Sequence, residues 1–416
     1  MGERTFVKNS KEQGLKINPM KFMDQGFDLP LFLVSITLVI FGILMVYSAS
    51  WDFSLLIYDS PTQIFSRQMA WLALGALAAL LAAYFDYHNY RRLAVLGMIG
   101  TVILLLAVLV INEVRLGAVR SLSEGSYQPS ELAKLMTILY LSVWLFAKRD
   151  QLRDVSFGLV PLAAILGLIG GLIFLQPDLS AVITVFAIGG LMFFLAGGDL
   201  KQMGILAAGS VIFGAIVVRI SPTGSGRIAD FMTALSDPTQ ASYHLRRSYE
   251  AFVNGGWFGV GIGRANTKLT GLPVPPTDSI FAVVGEEMGV IGASILVMLF
   301  CVLIWRGMVI ANRAPDDLGR LLAAGLTLWL GLEAIVNMAV MVGLLPFAGN
   351  ALPFISAGGS NLLFSMIAVG ILMNISRSSR VKEENTEKTI SAFVNLRGRK
   401  RGRRVSRPRR PTSTSG

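Results

Sequence analysis

Ten apolar runs partition the chain, near residues 30–49, 68–85, 93–111, 131–147, 157–175, 179–197, 202–218, 279–305, 321–343 and 361–376. A helix needs about 17 to 25 such residues to cross roughly 30 Å of hydrocarbon. Lipid offers no partners for backbone N–H and C=O groups, so runs of this kind must satisfy them internally as helices, and the alternation of barrel strands is not visible. The expected fold is all-α: a polytopic membrane bundle of ten transmembrane helices. Composition agrees, with 53% hydrophobic and 15% charged residues among 416 and a mean hydropathy of +0.60, which excludes a water-soluble domain for most of the chain.

Basic residues orient the bundle. Arg4, Lys8, Lys11, Lys16 and Lys21 precede the first run, and Arg91/Arg92, Lys148/Arg149/Arg153, Lys201 and Arg306/Arg313/Arg320 mark every second loop. Short cytoplasmic loops collect Lys and Arg, so both termini are expected in the cytoplasm. No cleavable signal peptide is expected, because the first run begins late and is long enough to span. The organisation is then a basic cytoplasmic segment at 1–28, a membrane domain at 29–376 and a basic tail at 377–416. The tail has too few apolar residues to pack and is expected to be disordered, lying on anionic membrane lipid; nucleic acid is not an expected partner. A large extracytoplasmic loop, 219–278, falls between the seventh and eighth runs and holds an amphipathic piece from Ile228 to Leu235, a helix around "YHLRRSYEAF" and the cluster "NGGWFGVGIG". That cluster lacks the preceding strand of a dinucleotide site, so its glycines are expected to serve tight turns and close packing. Cys301 stands alone and His88 and His244 are the only histidines, which excludes an internal disulfide and a His-rich zinc site.

Four even-numbered helices begin with a polar, Pro- or Gly-bearing entry: "SYQPSELAK", "QPDLS", "PPTDS" and "SAGGSN". Each of Ser130, Asp178, Thr277 or Asp278, and Ser360 can be read simply as an N-cap. Loop parity puts all four entries on the outer side, where converging helix N-termini would favour an anion. Ionisable groups at membrane depth are functional candidates by default, and Lys134, Glu286, Glu287 and Glu333 qualify. On a helix, eight residues advance about 80° beyond two turns, which puts Glu286 on the side of Asp278 and Glu287 nearly opposite. Glu286 is therefore expected to share a cavity with Asp278, and Glu287 to pair with a basic residue nearby. Gly285 and Gly289 form a small-xxx-small pair suited to close packing.

The ordered series "YQPSELAKL" (127–135), "QPDLS" (176–180), "NGGWFGVGIG" (254–263), "TKLTGLP" (267–273), "TDSIFAVVGEEMGVIG" (277–292) and "LLPFAGNALPFISAGGS" (344–360) resembles the SEDS family, the FtsW/RodA/SpoVE membrane proteins of bacterial cell-wall synthesis. The resemblance implies a peptidoglycan glycosyltransferase in the bacterial cytoplasmic membrane. Such an enzyme polymerises lipid II at the outer face, beside a class B penicillin-binding transpeptidase and other divisome or elongasome membrane proteins. The family's catalytic carboxylate falls on Asp278, expected to act as base toward the acceptor hydroxyl. Arg120, Lys134, Arg246 and Lys268 are the candidates to hold pyrophosphate, with Ser130, Glu131, Asp178, Ser356 and Ser360 as further substrate-binding residues. Mg²⁺ or Mn²⁺ on the pyrophosphate, held by Asp278 and Glu286, is the implied cofactor. The basic tail and "SYHLRRSYEAF" favour an FtsW-like over a RodA-like member.

Departures from the family pattern are specific. Val274, Pro276 and Ser279 stand for the usual Glu, His and Phe, Arg120 is the one basic residue kept of a usual pair, Ala357 stands for Tyr, and Arg247 replaces a frequent Gln. Two rival readings follow: a flippase for lipid-linked precursors, and a catalytically degenerate scaffold for a transpeptidase.

Overall fold

The computed structural model describes residues 26–115 and 127–401, except positions 177, 221, 238 and 239, and the described residues contain no strand. Thirteen α-helices are used here: α1 Leu29–Tyr58, α2 Gln63–Tyr84, α3 Tyr90–Arg115, α4 Pro129–Lys148, α5 Val160–Phe174, α6 Leu179–Leu195, α7 Leu200–Ile220, α8 Pro222–Ser236, α9 Tyr243–Gly255, α10 Thr267–Thr270, α11 Ile280–Asn312, α12 Asp317–Met341 and α13 Gly359–Arg401. Eight helical segments are long and apolar enough to cross a membrane, those of α1 to α5 and α11 to α13; Leu179–Leu195 and Leu200–Ile216 are shorter apolar helices. The chain is thus an all-helical, multi-pass membrane protein. The shortness of α6 has a local cause: Asp178 caps its start, and Gly197, with φ +96°, turns the chain left-handed just beyond its end. The final helix α13 continues past 376 to Arg401, well into the stretch expected to be disordered.

Helices α4 and α12 form the buried centre, with Trp329, Ile138, Leu141, Leu326 and Leu330 fully enclosed. Peripheral helices leave Leu96, Ile183 and Val211 exposed, as a lipid-facing wall requires. Asp28 caps α1 by accepting the Leu31 N–H at 2.9 Å, and its other oxygen takes the Arg306 guanidinium at 2.5 Å, fastening α1 to the far end of α11. Asp316 caps α12 through the Gly319 N–H and also accepts the Tyr87 hydroxyl at 2.8 Å.

The most consequential irregularity lies inside α11, where Gly289 adopts φ 69°, ψ −171°. This breaks the helical bonds from Val290 and Ile291 back to the carbonyls of Glu286 and Glu287. The glycine cluster repairs the loss by pairing with α11 in a short ladder. Val290 and Ile291 donate to the carbonyls of Gly256 and Trp257 at 2.9 and 3.2 Å, while Val260 and Gly261 donate to those of Glu286 and Glu287, both at 3.0 Å. Backbones this close exclude side chains: a Cβ at Gly255 or Gly259 would strike the α11 main chain, and one at Gly289 would lie 2.5 Å from the Gly259 nitrogen. Close packing by Gly285 and Gly289 therefore occurs as expected, but the partners are the Phe252 ring and this loop.

Gly289→Ala should destabilise the protein by about 2–3 kcal/mol or more, because only glycine tolerates this backbone region and a methyl also collides with the loop. Thermal unfolding of the purified protein in detergent reads the loss; an unchanged midpoint would contradict the pairing described.

Candidate active site

The turn from Pro273 to Ser279, which carries Asp278 into the start of α11, has its carbonyls taken up one after another. Pro273 accepts the Ser279 hydroxyl at 2.5 Å, Pro276 the Ala357 N–H at 2.7 Å, Thr277 the Ser356 hydroxyl at 2.7 Å and Asp278 the Asn337 side-chain amide at 3.0 Å. Asn337 also donates to the Asn350 carbonyl, and Asn350 in turn to that of Glu333. The turn is thereby clamped between α12 and the 346–358 segment, and the half-buried Asp278 lines a cavity of about 280 Å³.

Three helix starts complete the cavity wall. Proline at the first position opens α4, Asp178 caps α6 through the Ala181 N–H, and α13 begins at Gly359. Side chains stitch these starts together: Ser130 and Gln128 both donate to one Asp178 oxygen, at 2.8 and 3.0 Å, and the Gln128 N–H donates to the Ser360 hydroxyl at 2.8 Å. Asp178 is a true N-cap, whereas Ser130 and Ser360 bridge between helices. Beneath them Lys134, 4% exposed, donates to Glu131 at 2.8 Å and to Glu333, and Asn361 donates to the second oxygen of each glutamate. The ammonium also lies 5.7 Å from the centre of the Trp329 ring.

Asp278, Glu131, Lys134, Asp178 and Ser360 thus line one cavity, with Ser130 and Ser356 bracing its wall. The expectations for Glu286, Lys268 and Arg246 need correction. Glu286 does not accompany Asp278: it is fully buried and accepts the N–H groups of Asn266 and Thr267, the Thr267 hydroxyl and the Asn254 amide. The helical arithmetic fails because Ser279 is the N-cap of α11, so Asp278 lies outside the helix and its phase. Glu287 does pair with a basic residue, Lys268, at 3.0 Å. The same ammonium reaches the Ser48 carbonyl and hydroxyl and the Gly263 carbonyl, so Lys268 braces the fold away from the cavity. Arg246 is exposed on α9 with its guanidinium 6.0 Å from the Tyr243 ring centre. Arg120 lies outside the described residues.

The electrostatics differ accordingly from a plain anion site. One ammonium faces two carboxylates, so the Lys134 cluster has no surplus positive charge, and Asp178 and Asp278 add to the acidic side. Helix N-termini supply the favourable field for an anion that basic side chains were expected to supply. Among the described residues no group of three His, Cys, Asp or Glu side chains is arranged to hold a metal. Glu286, bonded to Asn266 and Thr267, does not stand beside Asp278 as the second carboxylate of the implied Mg²⁺ or Mn²⁺ pair.

Sequence reasoning passed over Asn337, Asn350 and Asn361, which frame the cavity. Their signal was available, since Asn337 and Asn361 are amides within or at the edge of apolar runs, where a polar group must find a partner. It also passed over His244, whose Nε2 lies 3.0 Å from the Ser279 hydroxyl. That hydroxyl hydrogen goes to Pro273, so the imidazole donates. Its ring packs on Phe347 at 4.2 Å between centroids. Burial, reinforced by the nearby Arg227 charge, lowers the His244 pKa to about 4. Ser279, one of the departures from the family pattern, is therefore held by a histidine from α9.

Comparisons agree with this architecture. A family model described as FTSW_RODA_SPOVE, cell cycle protein, matches residues 28–381. The chain is 39% identical over 368 residues to a probable peptidoglycan glycosyltransferase FtsW of Trichlorobacter lovleyi, covering 87% of this chain and 96% of that protein. It is 33% identical over 357 residues to stage V sporulation protein E of Bacillus subtilis, covering 85% and 98%. Among solved structures it resembles a chain described under "Structural coordination of polymerization and crosslinking by a peptidoglycan synthase complex", with TM-score 0.67, 24% identity and coverage of 85% and 98%. The rod shape determining protein RodA of Thermus thermophilus is similar in fold, with TM-score 0.60, 24% identity and coverage of 85% and 97%.

Lys134→Met should cost about 3–5 kcal/mol by stranding two buried carboxylates, and adding Glu333→Gln should restore part of that loss. Both are read from thermal unfolding midpoints in detergent. For His244, the folded-state pKa lies below the unfolded value of 6.5, so the unfolded chain binds the proton more tightly. Stability should accordingly be level above about pH 6.5 and fall as pH drops toward 4, and His244→Gln should remove that part of the slope in a pH series of unfolding midpoints.

Proposed function

The chain belongs to the FtsW/RodA/SpoVE family of cell cycle proteins, and from that premise we propose that it is a peptidoglycan glycosyltransferase that polymerises lipid II into glycan strands. The observation that carries the reading is the position of Asp278: a half-buried carboxylate on a clamped turn, facing a cavity where three helix starts converge.

Asp278 takes the proton from the acceptor sugar hydroxyl. The freed oxygen pair forms the new bond to the anomeric carbon of the donor, and the bond from that carbon to the pyrophosphate oxygen breaks with its electrons leaving on the pyrophosphate. Attack opposite the leaving group inverts the anomeric centre. The clamped turn fixes where the carboxylate meets the hydroxyl, so little reorganisation accompanies proton transfer. The positive ends of the α4, α6 and α13 dipoles face the growing negative charge on the leaving group.

The proposed topology has ten crossings, with α6 and α7 joining the eight longer spans; 17 apolar residues reach about 25 Å as helix. Loop charge supports cytoplasmic termini and an outer position for the cavity and for residues 219–278. A membrane-borne class B transpeptidase, with further divisome or elongasome proteins, is the proposed partner, a reading supported by the relatives' names and by the fold shared with a synthase complex.

Asp278→Asn should fold and insert normally, with an unfolding midpoint equal to wild type, yet lose at least about a hundredfold in glycan polymer made from labelled lipid II by the reconstituted protein. Polymer at the wild-type rate would end the assignment.

A further inference from the structure

The loop that repairs the break in α11 has a property that this pairing does not require. From Val253 to Gly263 it contains no charged residue. Its large side chains point away from the protein: Trp257 is 70% and Phe258 83% exposed, and Val253 and Ile262 are exposed as well. Loop tips in water are ordinarily polar, and a contiguous apolar patch marks a surface that is covered by something.

Two observations indicate what covers this one. The first is depth. The ladder joins the loop to residues 286–291 of α11, and Gly289 lies nine residues beyond Ile280, roughly 13 Å along the axis at 1.5 Å per residue. The loop is held at that level and not above the helix mouth. The second is continuity. Val290, Ile291 and Ile295 of α11 are exposed beside the ladder and belong to the lipid-facing wall of a membrane-spanning helix. The loop tip extends that wall without an intervening charge, and the first charged residue after it, Arg264, is exposed where the chain leaves the patch.

We infer that the Gly256–Gly263 loop is a re-entrant lipid anchor whose Trp257, Phe258 and Ile262 side chains insert into the bilayer leaflet on the cavity side. Irregular backbone is excluded from lipid unless its polar groups have partners, and α11 provides partners for four of this loop's groups through the ladder bonds. An indole near the headgroup level and neighbouring apolar groups below it form the usual interfacial arrangement. A protein partner would also cover the patch, but the tip offers no charge to set such a partner's register, whereas lipid requires none. The anchor fixes the height of the outer segment on the membrane: α10 follows the loop directly, and Glu286, at the ladder's edge, holds Asn266 and Thr267.

The test uses the full chain with Cys301→Ser, so that a single introduced cysteine can be labelled with an environment-sensitive fluorophore. Phe258→Cys and Ile262→Cys are compared with Ile295→Cys as a lipid reference and Asp150→Cys, on an exposed loop, as a water reference. All are reconstituted in phosphatidylcholine and phosphatidylglycerol vesicles, with nitroxide-bearing lipid as quencher. Both loop positions should emit to the blue of the Asp150 position and be quenched several-fold more strongly by the nitroxide lipid. The nitroxide near the headgroup should act more strongly than one near the chain end. Emission and iodide quenching equal to the water reference would overturn the inference. Blue emission that neither nitroxide lipid quenches would overturn it equally, by showing a protein cover, a second copy of this chain. Labelled variants are compared at matched unfolding midpoints, and two loop positions guard against one substitution disturbing the ladder.

Discussion

A peptide group without a hydrogen-bond partner in hydrocarbon costs several kcal/mol, and this cost governs how α11 and the chain leading into it are assembled. Helix α11 carries a break that would leave two carbonyls and two N–H groups unmet. The glycine loop meets all four, and in doing so becomes inseparable from the helix. Everything from α9 to the start of α11 is then tied at both ends. Glu286 gathers the backbone at Asn266 and Thr267, and Lys268 joins Glu287 to Ser48 on α1. The turn bearing Asp278 follows directly from this anchored stretch, which is why a loop residue can be positioned as firmly as one on a helix.

The second organising term is electrostatic. A lysine at membrane depth is tolerated because two glutamates and an aromatic face surround it, and the glutamates are tolerated because the lysine and Asn361 bond to them. Such a cluster contributes little to stability compared with apolar packing of equal volume, but losing any one member is costly. Its value lies in placement: α4, α12 and α13 meet through it, directly below the three helix starts. The cavity therefore joins fixed negative side chains to the positive ends of helices. A phosphate-bearing ligand would find its attraction in backbone dipoles.

Much of this was legible in the sequence, and the failures share a cause. Apolar run length identified the helices, because the hydrocarbon thickness acts on each run alone. Polar entries at Ser130, Asp178, Asp278 and Ser360 pointed to one region because all four interrupt apolar sequence on the same side by loop parity. What stayed hidden depends on pairing between distant segments. The roles of Glu286 and Lys268 are set by neighbours, including Asn254 and Ser48, that no local spacing brings to mind. The rotation argument for Glu286 assumed a helix running from 278, whereas α11 starts at Ile280. The glycine cluster was read correctly as close packing, but the break at Gly289 that it serves has no periodic signature.

The three carboxylates at the head of α11 now separate by their surroundings. Glu286 and Glu287 are buried and accept from donors outside α11, Glu286 from Asn254, Asn266 and Thr267, Glu287 from Lys268 and from Ser48 of α1. Each thus ties the segment between α9 and α11 to α11 itself. Asp278 differs in lining the cavity from a turn whose backbone is held, with Gly349 close enough that a methyl there would come within 3.4 Å of its Oδ2. The Asn337 bond to the Asp278 carbonyl, together with the Ser279 and His244 contacts one residue later, fixes the residue through its main chain. Within one short stretch, then, two acids bind the chain before α11 to its neighbours, and the third stands at the cavity on a turn held through its main chain.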